Sequence, residues 1–280
     1  MAALLPTEDG ELSATSAAFD QCPGFPDERS LANGNGLAND REVRTIAEKV
    51  LRGFNTWAFK REQPSDPQLM LRLIEGAVAK GEPIEFVLYW GKGPRHRSCA
   101  LEDQCLDFLL ALTSRVAAIY KPGTAVSLIL TDTHAELNGH ISDDIRRYFQ
   151  DVTAAAKRRG FETYWLGPLV KAAGVVATAA PLDDSVSEMM LTSLIGSAQK
   201  WYRGSGTARD GALTYLRMNL IEQRVIERAF PRSIFITFNG SELRGLFPRQ
   251  LPIFYMYSLR RGVSVKPWFL PSDPEHPSAA

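Results

Sequence analysis

Ile84-Glu85-Phe86-Val87-Leu88-Tyr89-Trp90 runs straight into Gly91-Lys92-Gly93-Pro94-Arg95-His96-Arg97. A strand with one wet face alternates apolar and polar residues, whereas this run is apolar at both parities. It suits a strand covered on both sides, the situation inside a parallel sheet. In open α/β sheets, ligands bind beyond the carboxyl ends of the strands, where the basic turn begins. Gly91 and Gly93 let backbone N–H groups approach an anion, and Lys92, Arg95 and Arg97 add positive charge. The turn reads as a phosphate or carboxylate site, with an ordinary solvated loop as the competing reading. It matches neither the P-loop pattern nor G-x-G-x-x-G.

Working outward, a helix from about Leu101 to Tyr120 places Leu106, Leu109, Leu112 and Val116 on one side, and Lys121-Pro122-Gly123 breaks it. The nearly all-apolar Ala125-Val126-Ser127-Leu128-Ile129-Leu130 follows. Strand, helix, strand is a right-handed crossover, so the second strand's end lies beside the first. There stand Asp132, His134, Glu136, Asn138 and His140. Asp132 and His134 are the proton-carrying candidates, with Asn138 and His140 as substrate contacts. The spacing His134-x-Glu136-x-x-x-His140 is not H-E-x-x-H, and no metal is expected.

Residues 1–38 read as a disordered leader, because Asn33-Gly34-Asn35-Gly36 holds no regular element. One helix is expected from an Asn39 or Asp40 cap, and another from Ser65-Asp66-Pro67 to Gly81. Beyond the second strand, a helix starts at Ser142-Asp143-Asp144, a strand spans Phe161 to Leu166, and Ser185 to Phe230 is helical with a break at Arg203-Gly204-Ser205-Gly206. Ser233 to Phe238, Ile253 to Leu259 and Val263 to Leu270 read as late strands, and 271–280 as a flexible tail. The expected architecture is one α/β domain over 39–270, a Rossmann-like, mostly parallel sheet with helices on both faces and a late antiparallel extension. Asn239 and Lys266 complete the substrate-contact candidates, against a hairpin turn at Asn239-Gly240 and an edge charge at Lys266.

The 280 residues balance 32 Lys and Arg against 32 Asp and Glu, so no global field draws the chain to nucleic acid or anionic lipid. Three cysteines without C-x-x-C spacing suggest free thiols in a reducing compartment. With no apolar run of about 18 residues and no basic leader, the expectation is a cytoplasmic protein whose partners are small molecules. Its oligomeric state is not legible.

Several of these segments resemble the pyoverdine/dityrosine biosynthesis family of isocyanide (isonitrile) synthases, over roughly residues 80 to 270. The carriers are Ile84-Glu85-Phe86-Val87-Leu88 with Lys92 and Arg95, the helix end Arg115 to Tyr120 with Pro122-Gly123 and Val126, the Asp132 turn, Asp143-Asp144-Ile145 to Tyr148, and Ala229-Phe230-Pro231 before Ile234-Phe235-Ile236. The resemblance implies a Rossmann-like fold and conversion of an amino acid's α-amino group to an isocyanide, with ribulose 5-phosphate as carbon donor and no redox cofactor. It implies a catalytic Lys92, an anion-holding Arg95 and an Asp132 that orients the amine or moves protons. The chain departs from the family's usual Lys-Ser-Pro-Asn at Lys92, from Ser-Asp-Gly at Thr131-Asp132-Thr133, and from His-Pro at Asn239. Two other readings stay open: a non-catalytic binding protein for small anions or amino acids on this fold, and a transferase in natural-product biosynthesis.

Overall fold

A computed structural model describes residues 35–174 and 188–271. The chain opens with α1 (Asn35–Phe54) and α2 (Pro67–Lys80). α1 begins four residues before the expected Asn39, inside the stretch assigned to the leader; residues 1–34 of that leader and 272–280 of the tail lie outside the described residues. α2 uses its predicted signals. Asp66 accepts a hydrogen bond from the Leu69 amide at 2.8 Å, Pro67 occupies the first turn, and Gly81 closes the helix at φ 67°.

β1 (Ile84–Trp90), α3 (Ala100–Ala117) and β2 (Thr124–Leu130) form the expected crossover, and β1 and β2 pair in parallel along all seven residues. Next come α4 (Asp132–Leu137), α5 (Ser142–Lys157), β3 (Glu162–Trp165), α6 (Leu166–Ala172), α7 (Glu188–Trp201) and α8 (Ala208–Ala229). β4 (Ile234–Thr237) and β5 (Ile253–Tyr255) end the sheet. Its order is β3-β2-β1-β4-β5, and every pair is parallel.

The expected antiparallel extension is therefore corrected. β4 pairs with β1 and β5 with β4, both parallel, because residues 238–252 do not form a tight hairpin. They make a 3-10 stretch over Ser241–Leu246 that crosses the sheet face before the chain re-enters it. The third late strand is also replaced, by a 3-10 turn at Pro267–Phe269. Among the described residues, no helix is long and apolar enough to cross a membrane.

Strand parity explains the apolar runs. Ile84, Phe86, Leu88 and Trp90 share a core with Val50, Phe54, Ile74, Leu109, Phe149 and Val152, from α1, α2, α3 and α5. Val87, Ile129 and Phe235 face the other way, toward Leu166 of α6, Ile226 of α8 and Phe247. The central strands β1 and β4 are thus buried on both sides, as their composition requires, while the edge strand β3 is only partly covered. The sheet winds outward from β1 to β3, then returns across α6, α7 and α8 to lay β4 on the opposite flank. The point of reversal lies between β1 and β4, where such sheets leave a crevice beyond the strand tips.

Candidate active site

A cavity of about 240 Å³ occupies that crevice. The tip of β1 contributes Tyr89, Gly91 and Lys92, and β4 with its exit contributes Phe235 to Asn239. One face of α8 presents Tyr215, Asn219 and Glu222, spaced four and three residues apart as neighbours on a helix are. Ser193, Ser197 and Trp201 of α7 form a second wall, and Lys266, Trp268 and Phe269 a third. Trp201 stacks on Phe269 with ring centroids 5.1 Å apart, joining the last two walls.

The strongest polar pair is one that sequence reading missed on one side. Glu222 is 1% exposed and binds His134, its carboxylate 2.9 Å from the imidazole Nε2, while Thr133 Oγ1 donates to it at 3.3 Å. Burial works against the charged imidazole, but the Glu222 charge and hydrogen bond outweigh it and hold His134 above its ordinary value. His134 also lies parallel to the Tyr215 ring at 5.8 Å, and Tyr215 donates its hydroxyl hydrogen to Asn138 Oδ1. His134, on the short helix α4, and Asn138, at its C-terminal cap, therefore enter the cavity.

Lys92 lines the cavity but is 3% exposed, and its ammonium points into the protein. It donates to the carbonyls of Gly93 at 3.2 Å and Arg95 at 3.0 Å, and lies 3.4 Å from His140 Nδ1. Burial lowers its basicity, with the Asp144 charge opposing. His140 is pushed down to about 4, first by burial and then by the Lys92 charge, so it is neutral and serves as an acceptor. It is not part of the cavity lining.

The remaining predicted residues separate into two groups. Asn239 and Lys266 line the cavity. Asn239 is held by its backbone amide, which donates to Thr237 Oγ1 at 3.1 Å. Asp132 turns away: its carboxylate accepts the Gly167 amide at 2.9 Å at the start of α6, and burial raises it despite several backbone hydrogen bonds. A strand-tip carboxylate is readily taken up by the free amides at a neighbouring helix start, here that of α6.

Arg95 and Arg97, expected as anion contacts, each engage protein partners and neither lines the cavity. Arg95 binds Glu102 and donates to the carbonyls of Leu270 at 2.6 Å and Pro267 at 3.0 Å. Arg97 makes a two-pronged pair with Asp151, at 2.6 and 2.8 Å, on the outer surface. Gly91 and Gly93 owe their identity to Trp268. A Cβ on Gly91 would sit 2.7 Å from the indole nitrogen, and one on Gly93 only 1.7 Å from the Trp268 carbonyl oxygen. Close packing alone therefore requires glycine at both positions.

The arrangement offers a His-Glu pair able to carry a proton, two amines and a lining that mixes aromatic rings with hydroxyl and amide groups. Among the described residues, no three His, Cys, Asp or Glu side chains group as metal ligands do.

No family model matches the chain, and no curated protein matches it. Among solved structures, the chain resembles the PvcA protein from Pseudomonas aeruginosa at 20% identity and a TM-score of 0.62, over 80% of this chain and 87% of that one. A tyrosyl-tRNA synthetase from Archaeoglobus fulgidus, solved with L-tyrosine, aligns at 16% identity and a TM-score of 0.40, over 75% of this chain and 63% of that one. At that identity the PvcA likeness is one of fold.

Proposed function

We propose that this chain is an isocyanide-synthase-like biosynthetic enzyme that acts on the amino group of an amino acid, with a ketose phosphate such as ribulose 5-phosphate as carbon donor. PvcA belongs to the isocyanide synthase family, and the shared fold supports this reading. The observation that carries it is the buried Glu222-His134 pair opening onto a cavity that also holds Lys92 and Lys266. Amine-to-carbonyl condensation needs repeated proton transfers, and an imidazole whose basicity a buried carboxylate raises is suited to perform them. Tyr89, Tyr215 and Phe235 offer flat apolar walls to an aromatic side chain, while the lysines favour carboxylate and phosphate.

The test is incubation of the purified protein with ribulose 5-phosphate and each amino acid in turn, reading isocyanide formation by mass spectrometry and the N≡C infrared band. Product with at least one amino acid, absent in Glu222→Gln, is the expected result. Uniform absence of product across all of them sinks the reading.

A binding protein on the same fold is the second reading, favoured by one observation. The Lys92 ammonium, assigned by resemblance to catalysis, has its donors taken by protein acceptors. That reading predicts calorimetric affinity for an amino acid or sugar phosphate with no product from any pair.

A further inference from the structure

We propose that Lys266 is the reactive amine of the cavity and captures a small aldehyde or ketone as an imine, while Lys92 is a structural ammonium. The inference rests on the proposed condensation chemistry and deepens it by moving the nucleophile to a residue outside the resembling motifs.

The two lysines differ in what surrounds the nitrogen. An ammonium has three N–H donors, and Lys92 has three acceptors within reach: the Gly93 and Arg95 carbonyls and the neutral His140 ring. Its stem packs with Nζ 5.7 Å from the Tyr148 ring centroid. Attack on a carbonyl needs a free lone pair and an open approach, and these contacts turn the nitrogen inward onto protein acceptors. Lys266 Nζ, by contrast, makes no hydrogen bond or ion pair among the described residues. Its close neighbour is the Phe269 ring, 5.8 Å from Nζ to centroid.

The backbone that carries Lys266 is fixed on both sides. Ser258 Oγ donates to the Val265 carbonyl at 2.5 Å, and Arg95 holds the Pro267 carbonyl at 3.0 Å. Lys266 therefore stands at the cavity wall on a rigid mount, which also disposes of the edge-charge reading, since its segment is no strand. Burial pushes its amine down to about 8. A desolvated lysine without a counter-ion is the form in which this side chain acts as a nucleophile.

The step balances without a co-reactant. The neutral amine adds to the carbonyl carbon, the C=O π pair moves to oxygen, and one amine proton follows to make a hydroxyl. That hydroxyl leaves as water with the second amine proton as the C=N bond forms. His134 lines the same cavity and feels the Lys266 charge, which makes it the group to relay these protons.

The experiment treats the full chain with pyridoxal 5′-phosphate and, separately, with ribulose 5-phosphate, reduces each with cyanoborohydride and maps adducts by peptide mass spectrometry. An amine near 8 holds on the order of a hundred times more free base at neutral pH than one at 10.5. Lys266 is expected to label at least about ten-fold ahead of exposed Lys200 and of Lys92 with the aldehyde, and to be the site of any ketose adduct. Lys266→Arg, which keeps the charge, should lose the adduct and any isocyanide product. Adducts that scatter over surface lysines, fall on Lys92 or spare Lys266 overturn the assignment. Product from Lys266→Arg overturns it too, while leaving the proposed reaction standing. Aldehyde labelling of Lys266 without a ketose adduct supports the assignment and counts against ribulose 5-phosphate as donor.

Discussion

Glu222 sets the protonation of the cavity. A buried carboxylate must be paired, and here the partner is His134, whose charged form would otherwise be disfavoured by its own burial. Glu222→Gln keeps the shape and a hydrogen-bonding group but removes the charge. The His134 imidazole is then expected to titrate below its ordinary 6.5, read from the ring-proton shifts across pH, and turnover to fall about 100-fold or more. Sequence reading found His134 and missed Glu222 for a physical reason. Glu222-Gln223-Arg224 looks like the wet side of a long helix, and only the return of the chain over the sheet turns that side inward. Gly93 makes the complementary case: the basic turn marks it as a required glycine, and the structure adds a packing cause that no local pattern states. Gly93→Ala meets a backbone carbonyl, which cannot swing aside as a side chain can. It should displace the Trp268 segment, seen as red-shifted tryptophan emission and a lower melting temperature, whereas Gly76→Ala in α2, where a Cβ meets nothing within 4 Å, should gain about 0.5–1 kcal/mol.

The element that completes the cavity is the 3-10 turn Pro267–Phe269 with Lys266 before it, and it is fastened mainly by Arg95. Apolar Val263 to Leu270 reads as a strand, but Pro267 removes a ladder donor and Trp268 spends its bulk against Trp90 and Phe238 rather than along a sheet edge. Local pattern reports that a segment is buried; it does not report against what. The same limit hid α4, six residues too short to declare a helical period. Arg95 itself is 13% exposed at the side chain, and its partner Glu102 also accepts from Tyr148 at 2.9 Å and the Cys99 amide at 2.9 Å. Arg95→Met should cost about 2–4 kcal/mol by urea unfolding, because it leaves a buried carboxylate short of its cation. Glu102→Met added to it should recover part of that loss, since the unpaired charge disappears. Ligand binding should not recover in the double variant, because the carbonyls of Pro267 and Leu270 still lack their donor and Lys266 its mount. Recovery of both together would deny Arg95 its role in placing the turn.

Across the whole molecule, the sequence carried the parallel core and lost the late topology. Apolar runs at both parities announced strands buried on two faces, and the crossover rule placed β2 beside β1. Nothing local states that the excursion from β3 to β4 crosses to the far flank of β1, yet that reversal creates the crevice. Two histidines that follow β2, His134 in the cavity and His140 outside it, also leave a mark on global stability. His140 has a folded value of about 4 against 6.5 for the free imidazole. Above pH 6.5 both folded and unfolded chains hold it neutral and nothing is lost. Between 6.5 and 4 the unfolded chain takes up a proton that the folded chain refuses, so stability falls, and the loss is complete below about 4. His134 has the opposite sign: its folded value is raised, so its contribution is full below 6.5 and fades as pH climbs through that higher value. A bare acid titration mixes the two, and a variant separates them. His140→Asn retains an acceptor for Lys92 and cannot titrate. The wild-type chain should therefore lose about 2–3 kcal/mol relative to this variant between pH 7 and pH 4, measured as paired urea midpoints. Parallel curves would mean that His140 takes its proton in the folded protein, and that Lys92 lacks the third acceptor that makes it structural.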